Sequence, residues 1–95
     1  MKSRFVVLDR GHEPRIYKFQ PDQKARLAAT LWREKVEYFD DLSAAKDAAM
    51  VIIERYGQAT MKTREGYSFR TAAKLKAMAK QIAELTESQI ETFSS

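Results

Sequence analysis

The chain has 95 residues with a formal net charge of +4. It carries 44% hydrophobic against 32% charged residues, with three glycines and two prolines, which excludes the disordered and low-complexity classes and suits one small folded domain spanning residues 1–95. The absence of cysteine excludes a disulfide framework, a thiolate metal site and a cysteine nucleophile, and no apolar run is long enough to cross a bilayer, so a cytoplasmic setting is expected.

Residues 4–9, RFVVLD, and 15–19, RIYKF, are rich in β-branched and aromatic side chains, and Gly11 and Pro14 lie between them. This pattern predicts an N-terminal β-hairpin. Arg4, Val6 and Leu8 fall on one face and Phe5 and Val7 on the other, so both faces need cover.

Residues 20–39 can be read with either period. As strands, Leu27, Ala29 and Leu31 line one face and Ala28, Thr30 and Trp32 the other, with REK turning the chain into Val36–Phe39. As a helix, Pro21 suits the first position and the Ala, Leu, Arg, Glu and Lys content is favourable. We take the strand reading, which extends the hairpin to a four-strand meander, and leave the helix open.

At VEYFDD the period changes. Asp40 is expected to cap a helix whose apolar positions are Leu42, Ala45, Ala49, Ile52 and Tyr56, with Gly57 as its C-terminal cap. The alanines at 44, 45, 48 and 49 let that helix lie close on a sheet. After a loop at 57–67, Ser68 is expected to cap a second helix running to about Leu85, with Ala72, Leu75, Ala79, Ile82 and Leu85 in one stripe. Thr86 and Gln89 have the spacing of a capping box for a short terminal turn. The expected fold class is α+β, an N-terminal antiparallel sheet followed by two main helices.

Charge is segregated. Residues 1–35 hold nine Lys or Arg against four acids and residues 58–80 hold six against one, whereas 36–57 and 81–95 are each net −3. Clustered bases suit a nucleic-acid partner, because neutralising phosphates releases counterions. The first candidate surface is the polar side of the second main helix, where Arg70 and Lys74 form one four-residue pair and Lys76 and Lys80 another, with Ala73 and Ala77 between them. An ordinary solvated face has the same pattern. The second is KARLAATLWREK, where Lys24, Arg26, Arg33 and Lys35 surround Trp32. An aromatic ring among bases suits base stacking, and the competing assignment makes Trp32 the largest core residue.

Strand, turn, strand and a close-packed alanine-rich helix over residues 24–57 resemble the layout of plant-type AP2 and integrase arm-binding domains. That resemblance implies a sheet docked in the DNA major groove; it covers about a third of the chain and carries over no residue.

Catalysis finds little in the sequence. His12 is the only histidine and sits in the expected hairpin turn, Asp40 and Asp41 read as caps, and neither a Gly-rich phosphate loop nor a nucleophile elbow occurs. No cofactor or metal is implied. The expectation is a non-enzymatic binding module associated with nucleic acid. Its alternative is an adaptor or inhibitor that docks on a partner protein, homodimerisation being one form, since Phe5, Tyr17, Phe19, Trp32, Tyr38, Phe39, Phe69 and Phe93 are many aromatics for one small chain to bury.

Overall fold

The computed structural model describes residues 4–10, 13–63 and 69–93, with the backbone alone described over 59–63 and 69–71. Strands β1 (Phe5–Arg10) and β2 (Glu13–Lys18) form the expected antiparallel hairpin, paired from Phe5 with Lys18 to Arg10 with Glu13. The chain then makes a 3₁₀ turn at Pro21–Gln23 and a short helix α1 (Lys24–Thr30) before strand β3 (Lys35–Phe39). Helix α2 (Leu42–Thr63) and helix α3 (Phe69–Glu84) follow, and a last 3₁₀ turn spans Glu87–Gln89. The architecture is α+β, with a three-stranded sheet in the order β2-β1-β3.

That strand order corrects the four-strand meander and the strand reading of 27–32. Both β2 and β3 run antiparallel to β1 on its two sides, so they are parallel to each other. Parallel strands cannot be joined by a tight turn and need a crossover of about a dozen residues or more, usually helical. Residues 19–34 supply it. Alanines at 25, 28 and 29 favour helix over strand, and Leu27 and Leu31, one helical turn apart, are the buried contacts that hold it down. With 24–31 helical, the strand-turn-strand layout behind the AP2 resemblance is not present.

Because β1 is central, it is buried on both faces. Phe5, Val6, Val7 and Leu8 are each 3% exposed or less. On one face Phe5, Val7 and Ile16 pack with Ala45, Ala49 and Ile53 of α2, Ile82 of α3 and Ile90. Leu75, Ala79 and Leu85 of the expected stripe border the same cluster, together with Met78. On the other face Val6 and Leu8 pack with Phe19, Leu27 and Leu31, joined by Tyr17, Val36, Tyr38 and Phe93. Both sides of the hairpin are thus covered, as its patterning requires.

Three local features decide where elements begin and end. The cap of α2 is Asp41 rather than Asp40: the Ala44 N–H donates to Asp41 Oδ1 at 2.8 Å. Asp41→Ala is expected to cost about 1 kcal/mol by chemical denaturation, and Asp40→Ala much less. Gly57 does not end the helix, which continues to Thr63. Gly57 is buried and prolongs the buried series Ala45, Ala49, Ile53 at four-residue steps, so packing outweighs a glycine penalty of about 1 kcal/mol. At the far end, Gln89 Oε1 accepts the Thr86 N–H at 3.0 Å, as the capping-box spacing predicts. Ser68 and the hairpin turn at Gly11 and His12 lie outside the described residues.

The tail closes the fold. Lys18 N–H donates to Glu91 O at 3.0 Å and Phe93 N–H to Lys18 O at 2.8 Å, so the chain returns along the outer edge of β2. Phe93 then meets Tyr17 edge-to-face at 5.4 Å, within its own chain. The radius of gyration is 14.4 Å, above the roughly 12 Å of a compact chain of this length. The cause is α2, which at 22 residues reaches about 33 Å where a six-residue strand spans about 20 Å.

Candidate functional site

Helix α1 lies on the sheet face opposite to α2 and α3, anchored by Leu27 and Leu31. Its remaining apolar residues point away. Ala25, Ala28 and Ala29 are exposed, and so is Trp32, 71% exposed, two residues past the end of the helix. The assignment of Trp32 to the core is therefore overturned. A helical period does set it beside Ala28, but that side of α1 faces solvent.

Trp32 stands in the turn from α1 to β3, and the turn is fixed at both ends. Leu31 N–H donates to Leu27 O and Glu34 N–H to Leu31 O, each at 2.9 Å. Arg10 Nε then donates to Glu34 Oε1 at 3.0 Å, tying the end of the turn to β1. The Arg33 guanidinium carbon sits 4.6 Å from the centre of the Trp32 ring, a cation–π stack. Lys24 Nζ lies 4.9 Å from the Tyr38 ring, while Arg26 and Lys35 are exposed. Over residues 24–35 four bases face one acid, Glu34, and Arg10 already neutralises it. The corner is a positive surface with a large aromatic ring standing out of it.

The other candidate surface lies elsewhere. Lys74, Lys76 and Lys80 are exposed on α3 with Ala73 and Ala77, as their spacing predicts; the Arg70 side chain is outside the described residues. Since α1 and α3 belong to opposite faces of the sheet, Arg26, Trp32 and Arg33 share the α1 side with Lys24, but not with the α3 lysines, and Lys35, opposite Asp9 in the register, falls on the α2 side with Val7 and Glu37. A single extended ligand cannot run straight from one group to the other.

Two further features escaped the sequence reading. One is the outward stripe on α1, detectable as apolar residues beyond the two leucines once that segment is helical. The other is a cleft of about 400 Å³ between β3 and α2, with Val7, Ala48 and Ile52 among apolar lining residues and Lys35, Glu37 and Arg55 among charged ones. It arises from long-range packing and leaves no local signal. Among the described residues no group of three or more His, Asp or Glu side chains is placed to hold a metal ion, and no helix is long and apolar enough to cross a membrane.

Under the corner, Tyr38 meets Phe19 edge-to-face at 5.7 Å, and its buried hydroxyl has no hydrogen-bond partner among the described residues. Burial raises its pKa above the ordinary tyrosine value. Tyr38→Phe is expected to leave stability at neutral pH unchanged or higher, because an unsatisfied buried hydroxyl is removed. The raised folded-state pKa means that the tyrosine's contribution is complete below its unfolded value and is lost as pH rises through the folded one. Denaturation curves at alkaline pH are expected to fall more steeply for the wild type than for Y38F.

No protein-family model matches this chain, and no curated protein or solved structure matches it. Its role is read from these surfaces.

Proposed function

We propose that this chain is a non-enzymatic, cytoplasmic nucleic-acid-binding module whose contact surface is the corner between α1 and β3. The observation that carries the reading is Trp32, 71% exposed and stacked by Arg33 on a turn held by the Arg10–Glu34 ion pair. A tryptophan left in water by a fold that covers, wholly or in part, the other large rings among the described residues is matched to an unpaired base, which offers a π-face of any sequence. Lys24 and Arg26 beside it suit phosphates, so single strands are favoured over duplexes, whose bases are already stacked. The lysines of α3 strengthen the field at longer range.

Fluorescence anisotropy with labelled single- and double-stranded DNA and RNA tests this at low and near-physiological salt. Tighter binding of single strands is expected, with log affinity falling by about 2 per decade of salt if Lys24, Arg26 and Arg33 all meet phosphates. Reversing Lys74, Lys76 and Lys80 to glutamate is expected to weaken binding through the net charge while leaving a preference for single strands. No binding at either salt contradicts the proposal.

A second reading has its own observation. The exposed alanines Ala25, Ala28 and Ala29 of α1, with Trp32 just past its end, give an apolar surface suited to a partner's groove, and the flanking bases would select an acidic partner protein. Both readings use the same corner, and the oligonucleotide titration separates them.

A further inference from the structure

Among the described residues β3 has a neighbour on one side only. β1 fills one of its edges, and among the described residues nothing pairs with the other. The far edge of the sheet differs at Lys18, where the returning tail bonds both the N–H and the C=O of the last residue of β2. An open edge presents unpaired backbone groups to any strand that can match them, and proteins commonly blunt such edges with proline, bulges or charge. β3 has no proline and pairs with β1 residue for residue, without a bulge, from Lys35 to Phe39. It does carry two exposed charges, Lys35 and Glu37, and their order is informative.

In an antiparallel pairing of β3 with β3 of a second copy, residues directly opposite share a face. A register centred on Glu37 sets two carboxylates against each other. Centred on Val36, the pairing sets Lys35 of each copy opposite Glu37 of the other, twice, with Val36 against Val36 on the other face. Opposite charges directly across a strand pair stabilise it and like charges oppose it.

We propose that this chain pairs with a second copy of itself through β3, antiparallel and centred on Val36, joining two three-stranded sheets into one. The cleft beside this edge supports the assignment. It is lined by Val36, Ala48 and Ile52, and Val51, 43% exposed, lies on the same side of α2 as Ala48 and Arg55, so a second strand here covers apolar surface as well as backbone. The proposal is independent of nucleic-acid binding.

Sedimentation velocity of the full chain across a concentration series tests it. The wild type is expected to shift reversibly from monomer towards dimer as concentration rises. K35E alone and E37K alone put like charges opposite each other and are expected to weaken self-association by about tenfold or more. The double variant K35E/E37K restores it, and an equimolar mixture of the two single variants associates where neither does so alone. Circular dichroism checks that these exposed substitutions keep the fold. A wild type that stays monomeric throughout, single variants that associate like the wild type, or a double variant that fails to recover would each overturn the proposal.

Discussion

Trp32→Ala is expected to lower affinity for single-stranded oligonucleotides roughly 5- to 160-fold, since a stacked base is worth about 1–3 kcal/mol. The same substitution is expected to change folding stability by no more than about 1 kcal/mol, the worth of an exposed cation–π stack, because the ring is 71% exposed and belongs to neither buried cluster. Trp32→Phe retains a ring and is expected to keep part of the affinity. Equal losses of binding and stability would return Trp32 to a structural role. Anisotropy for binding and urea denaturation for stability, run on the same preparation, separate the two.

Phe5→Ala is expected to do the reverse. Phe5 is 1% exposed in the central strand, packed beneath α2 with Val7, Ile16, Ala45 and Ala49. Truncating a buried phenylalanine costs about 3–5 kcal/mol, from lost burial and from the cavity left behind. A domain of this size holds only about 5–15 kcal/mol in all, so the variant sits at the edge of unfolding at room temperature. Urea denaturation reads this as a lower midpoint with an unchanged slope. A loss below about 1 kcal/mol would mean that the sheet and α2 are not packed as described.

The contrast between these aromatics shows what sequence can and cannot convey. Phe5 and Val7 against Val6 and Leu8 announced a strand covered on both faces, because side-chain direction alternates whatever the rest of the chain does. The stripes of α2 and α3 were legible for the same reason, as was the turn at Thr86–Gln89. Residues 24–31 were not, because Leu27 and Leu31 suit a strand face and a helical turn equally well. What decides between them is the placement of β3 on the far side of β1, a long-range pairing that forces a crossover. Asp40 and Asp41 are alike locally, and the helical turn that begins at Leu42 makes Asp41 the cap. Gly57 looked like a helix end because its burial depends on what packs over it.

The candidate site divides along the same line. Local spacing was enough to place Lys74, Lys76 and Lys80 on the solvent side of α3. For Trp32 it gave the basic surroundings but not the exposure, since a lone tryptophan near two leucines is more often buried with them. The turn that lifts it out depends on Leu31 facing the sheet and on Arg10, 24 positions away, holding Glu34. That placement on opposite sheet faces also splits one basic surface into two.

The most direct measurement uses Trp32 itself, the only tryptophan in the chain. Its fluorescence, titrated with an unlabelled single-stranded oligonucleotide, reports on this corner and nowhere else. Stacking predicts strong, saturable quenching that added salt reverses, with a midpoint equal to that from anisotropy. Emission that stays unchanged while anisotropy reports binding would put the nucleic acid on another surface, and would contradict the assignment of the α1–β3 corner as the contact site.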